Sequence, residues 1–64
     1  MCLSKVYKEK KTDGTVVVEE ASKVTDNEGS IEVQTLFGEV KVLSGYFIRE
    51  VDLLNNSIVL EERG

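Results

Sequence analysis

The sequence predicts an all-β fold: a small curled barrel of about six short antiparallel strands, with residues 1–64 forming one domain. Three observations carry that expectation. Val, Ile and Leu fall in short runs that alternate with polar residues, a period of two and not of 3.6. Gly, Asp and Asn punctuate those runs about every 8 to 15 residues, and proline is absent. With 64 residues a two-layer sandwich is hard to fill, whereas a sheet that curls on itself can enclose one core.

The first strand runs from Cys2 to Tyr7, with Cys2, Ser4 and Val6 on one side and Leu3, Lys5 and Tyr7 on the other. Lys8 to Gly14 is polar and ends in Asp13-Gly14, a turn dipeptide that favours positive φ. Thr15 to Glu20 is β-branched and reads as the second strand. Its three consecutive valines put apolar groups on both faces, so it is covered on both sides or one face is an interface. Ala21 to Ser30 is the least regular segment. Val24 is its anchor, and Asp26-Asn27-Glu28-Gly29 is a turn that lacks the ligand spacing of a calcium loop. Ser30 to Phe37 forms the third strand, with Ile31, Val33 and Thr35 on one face. Phe37-Gly38-Glu39 reverses into the fourth strand, Glu39 to Ser44, and Gly45 allows a bend before the fifth, Tyr46 to Leu53. The fifth slips phase near Arg49-Glu50, which predicts a bulge. Asn55-Asn56 turns the chain into the sixth strand, Ser57 to Glu62. Apolar residues on both faces of the second and of the fourth to sixth strands exceed what one core needs. Either a second copy covers the surplus, or strongly twisted strands bury parts of both faces within one barrel.

Composition narrows the function. Eight basic against 12 acidic residues give a formal charge of −4, the wrong sign for a nucleic-acid backbone binder. Lys5, Lys8, Lys10 and Lys11 are the one basic cluster, interrupted by Glu9, and read as a solvated strand end and turn. Only Tyr7, Phe37, Tyr46 and Phe47 could stack on bases. No apolar run approaches the about 20 residues of a membrane span, and Lys5 and Lys8 break up any signal segment. A cytoplasmic location is expected, where a lone Cys stays a reduced thiol. One cysteine allows no internal disulfide, so dimerisation, metal binding or close β-packing must support a domain this small.

Catalytic constellations are missing. There is no histidine to activate Cys or Ser, and Glu19-Glu20 and Glu61-Glu62 are strand neighbours that point to opposite faces. The glycines are isolated turn residues and build no phosphate-cradling loop. An enzyme is not expected. The distinctive chemistry lies in Met1-Cys2-Leu3-Ser4, where the only thiol stands one peptide bond from the α-amino group. If Met1 is removed, the Cys2 amine and thiolate close a five-membered chelate. If it stays, the Met1 amine, the Cys2 amide nitrogen and the Cys2 sulfur form two fused rings. Nitrogen with thiolate suits a square-planar ion, Ni(II) or Cu(II), over tetrahedral zinc. One chain supplies two or three donors, and a two-fold homodimer bringing both termini together would supply the rest. The plain alternative is that Cys2 is a small apolar residue buried in the first strand.

Met1-Cys2-Leu3-Ser4-Lys5-Val6, Leu36-Phe37-Gly38-Glu39, Val51-Asp52-Leu53-Leu54-Asn55-Asn56 and Ile58-Val59-Leu60-Glu61 together resemble the CooT family over nearly the whole chain. The resemblance implies a small nickel-binding protein linked to maturation of the nickel-containing carbon monoxide dehydrogenase. It implies an SH3-like barrel, a homodimer and Ni(II) held at the dimer contact through Cys2 with the Met1 amine and the Cys2 backbone nitrogen. The expected function is then a cytoplasmic metallochaperone that delivers nickel to the dehydrogenase machinery. A non-catalytic RNA-binding or protein-interaction β-barrel module is the alternative, distinguished by salt-dependent RNA binding or by Ni(II) affinity no better than that of an unrelated Met-Cys peptide.

Overall fold

Period-two alternation carries the chain into six strands: β1 (Ser4–Lys8), β2 (Val16–Asp26), β3 (Ser30–Thr35), β4 (Val40–Ser44), β5 (Tyr46–Asp52) and β6 (Ser57–Glu62). A single 3-10 turn, Asp13–Thr15, separates β1 from β2. The computed structural model describes residues 3–63, so the expected start of the first strand at Cys2 lies outside the described residues. The strands form one sheet in the order β4-β3-β2-β1-β6-β5.

Neighbouring pairs are antiparallel except one, which corrects the expectation of a wholly antiparallel set. β1 and β6 run parallel, with Lys5 beside Ser57 and Lys8 beside Leu60. The sheet curls until the last strand arrives beside the first, and the long chain between them permits the same direction. It does not close: β4 and β5 remain its two edges. They are joined at the corner residue Gly45, whose N–H donates to the Gly29 carbonyl at 2.7 Å and whose carbonyl accepts the Arg63 N–H at 2.6 Å. Its φ of 78° is left-handed, which suits glycine and explains the bend.

The irregularities have local causes. β2 continues through Ala21–Thr25, expected to be irregular, because a register slip between Ala21 and Lys23 shifts the side-chain phase without ending the strand. A further slip falls between Ile48 and Glu50, where the phase of β5 breaks in the sequence, and the β1–β2 ladder slips between Ser4 and Val6 and between Val6 and Tyr7. β3 stops at Thr35, two residues earlier than expected. There the Thr35 hydroxyl accepts the N–H groups of Phe37 at 3.3 Å and Glu39 at 3.2 Å and holds the turn. The left-handed residue after β1 is Glu9, with φ 73°, and not Gly14. The Glu9 side chain reaches across to accept the Glu62 N–H at 3.0 Å.

The core gathers Val6, Val18, Ala21, Ile31, Val33 and Leu60, with Val24, Leu43, Ile48 and Ile58 packed against it. Each fully buried aliphatic side chain contributes about 1.5–3 kcal/mol relative to exposure. The β1–β6 pair is covered on its other face too, where Tyr7 and Val59 lie side by side and are buried. Part of the two-faced apolar pattern is thus absorbed by the curl. The rest stays in solvent: Leu36, Phe37, Val40 and Val42 around β4, and Val51, Leu53 and Leu54 at the end of β5.

Candidate functional site

The two donors expected from the sequence, Met1 and Cys2, lie outside the described residues. The segment that follows them is held firmly from both sides. Ser4 stands beside Ala21 of β2, Lys5 stands beside Ser57 of β6, and the Lys5 N–H donates to the Asn56 carbonyl at 3.0 Å. β1 therefore begins in the middle of the sheet, next to the β5–β6 turn. Alternation gives it a hollow on each face. On the core side, Ser4 shares a hollow with Ala21, Val24, Ile48, Val51 and Ile58. On the other side, Leu3, Lys5 and Tyr7 share one with Lys11, Glu19, Asn55, Asn56 and Ser57. The Ser57 hydroxyl at the base of that second hollow is buried and has no hydrogen-bond partner among the described residues.

The β5–β6 turn is built by one carboxylate. Asp52 Oδ1 accepts the N–H groups of Leu54 at 3.0 Å and Asn55 at 3.1 Å, and Oδ2 accepts the Asn55 side-chain amide at 2.9 Å. Lys11 adds an ion pair at 3.4 Å. The Asn55 side-chain amide, then its backbone N–H, with smaller help from Lys11 and Leu54, lowers the Asp52 carboxyl from 3.8 to about 2. Asn56 completes the reversal at φ 53°, a conformation that Asn tolerates better than most residues. With the turn fixed in this way, Leu53 and Leu54 project into solvent, 83% and 91% exposed. The pair is an exposed apolar spot beside the start of β1.

Sequence reasoning assigned Leu53 to the fifth strand and gave Leu54 no role. The available signal was the doublet itself: two adjacent leucines entering an Asn-Asn turn cannot both reach one core. The Asp26-Asn27-Glu28 segment, weighed as a metal loop, is a structural turn. Asp26 accepts the Glu28 N–H at 3.0 Å, and Asn27 donates to Glu32 at 2.7 Å. Among the described residues no three Cys, Asp or Glu side chains converge as a metal site. No helix in the described residues is long and apolar enough to cross a membrane.

A family model described as CO dehydrogenase accessory protein CooT matches residues 1–61, a span that takes in Met1, Cys2, all of β1 to β5 and nearly all of β6. No curated protein matches the chain.

Proposed function

Since the chain belongs to the CooT family of CO dehydrogenase accessory proteins, we propose that it captures Ni(II) as cargo through Cys2 and hands it to the dehydrogenase maturation machinery. Two copies meet about a two-fold axis at the Leu53–Leu54 turns, which brings the two chain starts together. The donors are the Cys2 thiolates with nitrogen from the Cys2 amide and the Met1 amine, a set suited to a square-planar ion. What supports this reading is the anchoring of β1 on both sides beside an exposed leucine pair. The segment carrying Cys2 thus departs from a rigid base next to a surface that self-association would cover.

Such an arrangement favours delivery. Donors at a chain end carry few covalent restraints, so an incoming thiolate or carboxylate of the recipient can replace them one at a time, whereas a structural metal site is closed on all sides. Thiol and amine must lose protons to bind, so Ni(II) affinity falls as pH drops. The cytoplasm, where the thiol stays reduced, is the compartment this chemistry needs.

The test is a Ni(II) titration of the full chain and of Cys2→Ser, followed by thiolate-to-metal charge-transfer absorbance and by mass under native conditions. Stoichiometric binding by the parent, lost in the variant with its circular dichroism unchanged, is the expected result. Equal binding by Cys2→Ser overturns the assignment.

A further inference from the structure

The hollow on the outer face of β1 holds groups that the nickel reading leaves unused. Lys5 and Ser57 are register neighbours in the parallel β1–β6 pair, as are Tyr7 and Val59 two residues on. Alternation therefore puts all four side chains on one face of the sheet. Tyr7 and Val59 fill the inner part of that face and are buried, as expected of a large ring against a β-branched residue. Ser57 is buried as deeply, at 4% exposure, and what it buries is polar. Its hydroxyl has no hydrogen-bond partner among the described residues. A hydroxyl left unpaired in this way costs about 1–3 kcal/mol, and native proteins pair nearly all such groups. It is open to a partner that arrives from outside.

The walls of the hollow decide the chemistry of that partner. Lys5 and Lys11 bring two ammonium groups to it, against the single carboxylate of Glu19. Neither ion pair of the described residues, Lys11–Asp52 or Arg49–Glu61, engages Lys5 or Glu19. Lys11 reaches Asp52 at 3.4 Å and so straps the β1–β2 connection to the β5–β6 turn. That pair is long and partly exposed, and Asp52 is already satisfied by Leu54 and Asn55, so Lys11 is held weakly. A surplus of amines here runs against the formal charge of −4 on the whole chain. We propose that this hollow binds a small oxyanion of the phosphate class. Lys5 and Lys11 supply the opposing charge, and the Ser57 O–H donates to an anion oxygen from the base. The three donors come from β1, from the β1–β2 connection and from β6. A tetrahedral anion accepts from three such directions at once, whereas the two oxygens of a carboxylate lie in one plane. Since the hydroxyl is buried, the entering anion must first draw aside the exposed Lys5 side chain next to it. Glu19 repels the anion and holds the affinity down.

The experiment titrates the metal-free, 15N-labelled full chain with inorganic phosphate, methyl phosphate and acetate, with chloride holding the ionic strength constant. Saturable shift changes are expected at Lys5, Tyr7, Asn56 and Ser57 for inorganic phosphate, methyl phosphate or both, and none for acetate. The stronger of the two phosphates tells the free ion from an ester. Lys5→Gln and Ser57→Ala should each weaken that binding on the order of tenfold. Glu19→Gln should tighten it several-fold, a change of opposite sign that loss of folding cannot produce. Without anion, Ser57→Ala should be at least as stable as the parent in urea, because it removes an unpaired buried hydroxyl. Cys2→Ser should bind phosphate as the parent does, because this hollow does not depend on the nickel reading. Shift changes spread over Lys8, Lys10, Lys23 and Lys41, equal binding by Ser57→Ala, an equal response to acetate, or no saturable response to any of the three anions would each overturn the proposal.

Discussion

Two apolar surfaces stand open on this molecule, and they differ in what they hold back. At the β5–β6 turn the backbone is already engaged: Asp52 takes the N–H groups of Leu54 and Asn55, and the Asn56 carbonyl takes that of Lys5. Only the side chains of Leu53 and Leu54 are available, so this surface is suited to packing against another ready-made surface. Along β4, which has one strand neighbour among the described residues, the backbone groups of Val40, Val42 and Ser44 turn away from β3 as well. Hydrophobic exposure alone would rank the two alike. Hydrogen-bond accounting separates them.

The comparison can be broken most severely from beneath. Ile31 is fully buried under β3 and stands opposite Leu43 of β4, so the β4 edge rests on it. Ile31→Ala should cost about 2–5 kcal/mol of unfolding free energy by urea denaturation, a large share of what a chain this short can hold. A change confined to the other surface is next in size. On the proposed two-fold contact, Leu53→Asp with Leu54→Asp should weaken self-association on the order of 100-fold in sedimentation equilibrium, by placing like charges at its centre. Unchanged self-association would overturn the leucine turn as the proposed contact. The smallest effect concerns how the turn is held. The Asp52 carboxyl is depressed from 3.8 to about 2, so the stability it lends is fully present above pH 3.8 and fades as pH falls toward 2. Protection of the Leu54 and Asn55 amides, relative to their intrinsic exchange rates, should fall through that window in the parent, and Asp52→Asn should flatten the dependence.

The strand plan was legible because alternation survives translation into structure almost untouched where one face is buried. Ile31-Glu32-Val33-Gln34-Thr35 reads buried, half-buried, buried, half-buried, buried along β3, as the sequence alternates. The bulge of β5 was visible as a phase slip at Arg49-Glu50. That of β2 was not, because Ala21-Ser22-Lys23 has too little apolar contrast to show a shift of phase. The parallel β1–β6 pair was hidden for a different reason: pairing partners distant in sequence leave no local trace, and Val59 and Tyr7 look like ordinary alternation errors until they lie together. Of the proposed site, Cys2 was named from its chemistry and from family resemblance, and it lies outside the described residues. The leucine turn and the β4 edge were not. Exposure is a property of where the curled sheet stops, and only the topology says that β4 and β5 are its ends.

The parallel alliance of β1 with β6 also sets an order of events. β1 is the earliest strand made and β6 the latest, so the opening segment lacks its second neighbour, and the Asn56 carbonyl that accepts Lys5, until synthesis has reached the far side of the last turn. Pairing so distant in sequence is slow to form, because a large loop must close before any bond rewards it. A nascent or truncated chain lacking residues 57–62 would hold β1 by β2 alone, so β1 would gain its second neighbour only once β6 is in place.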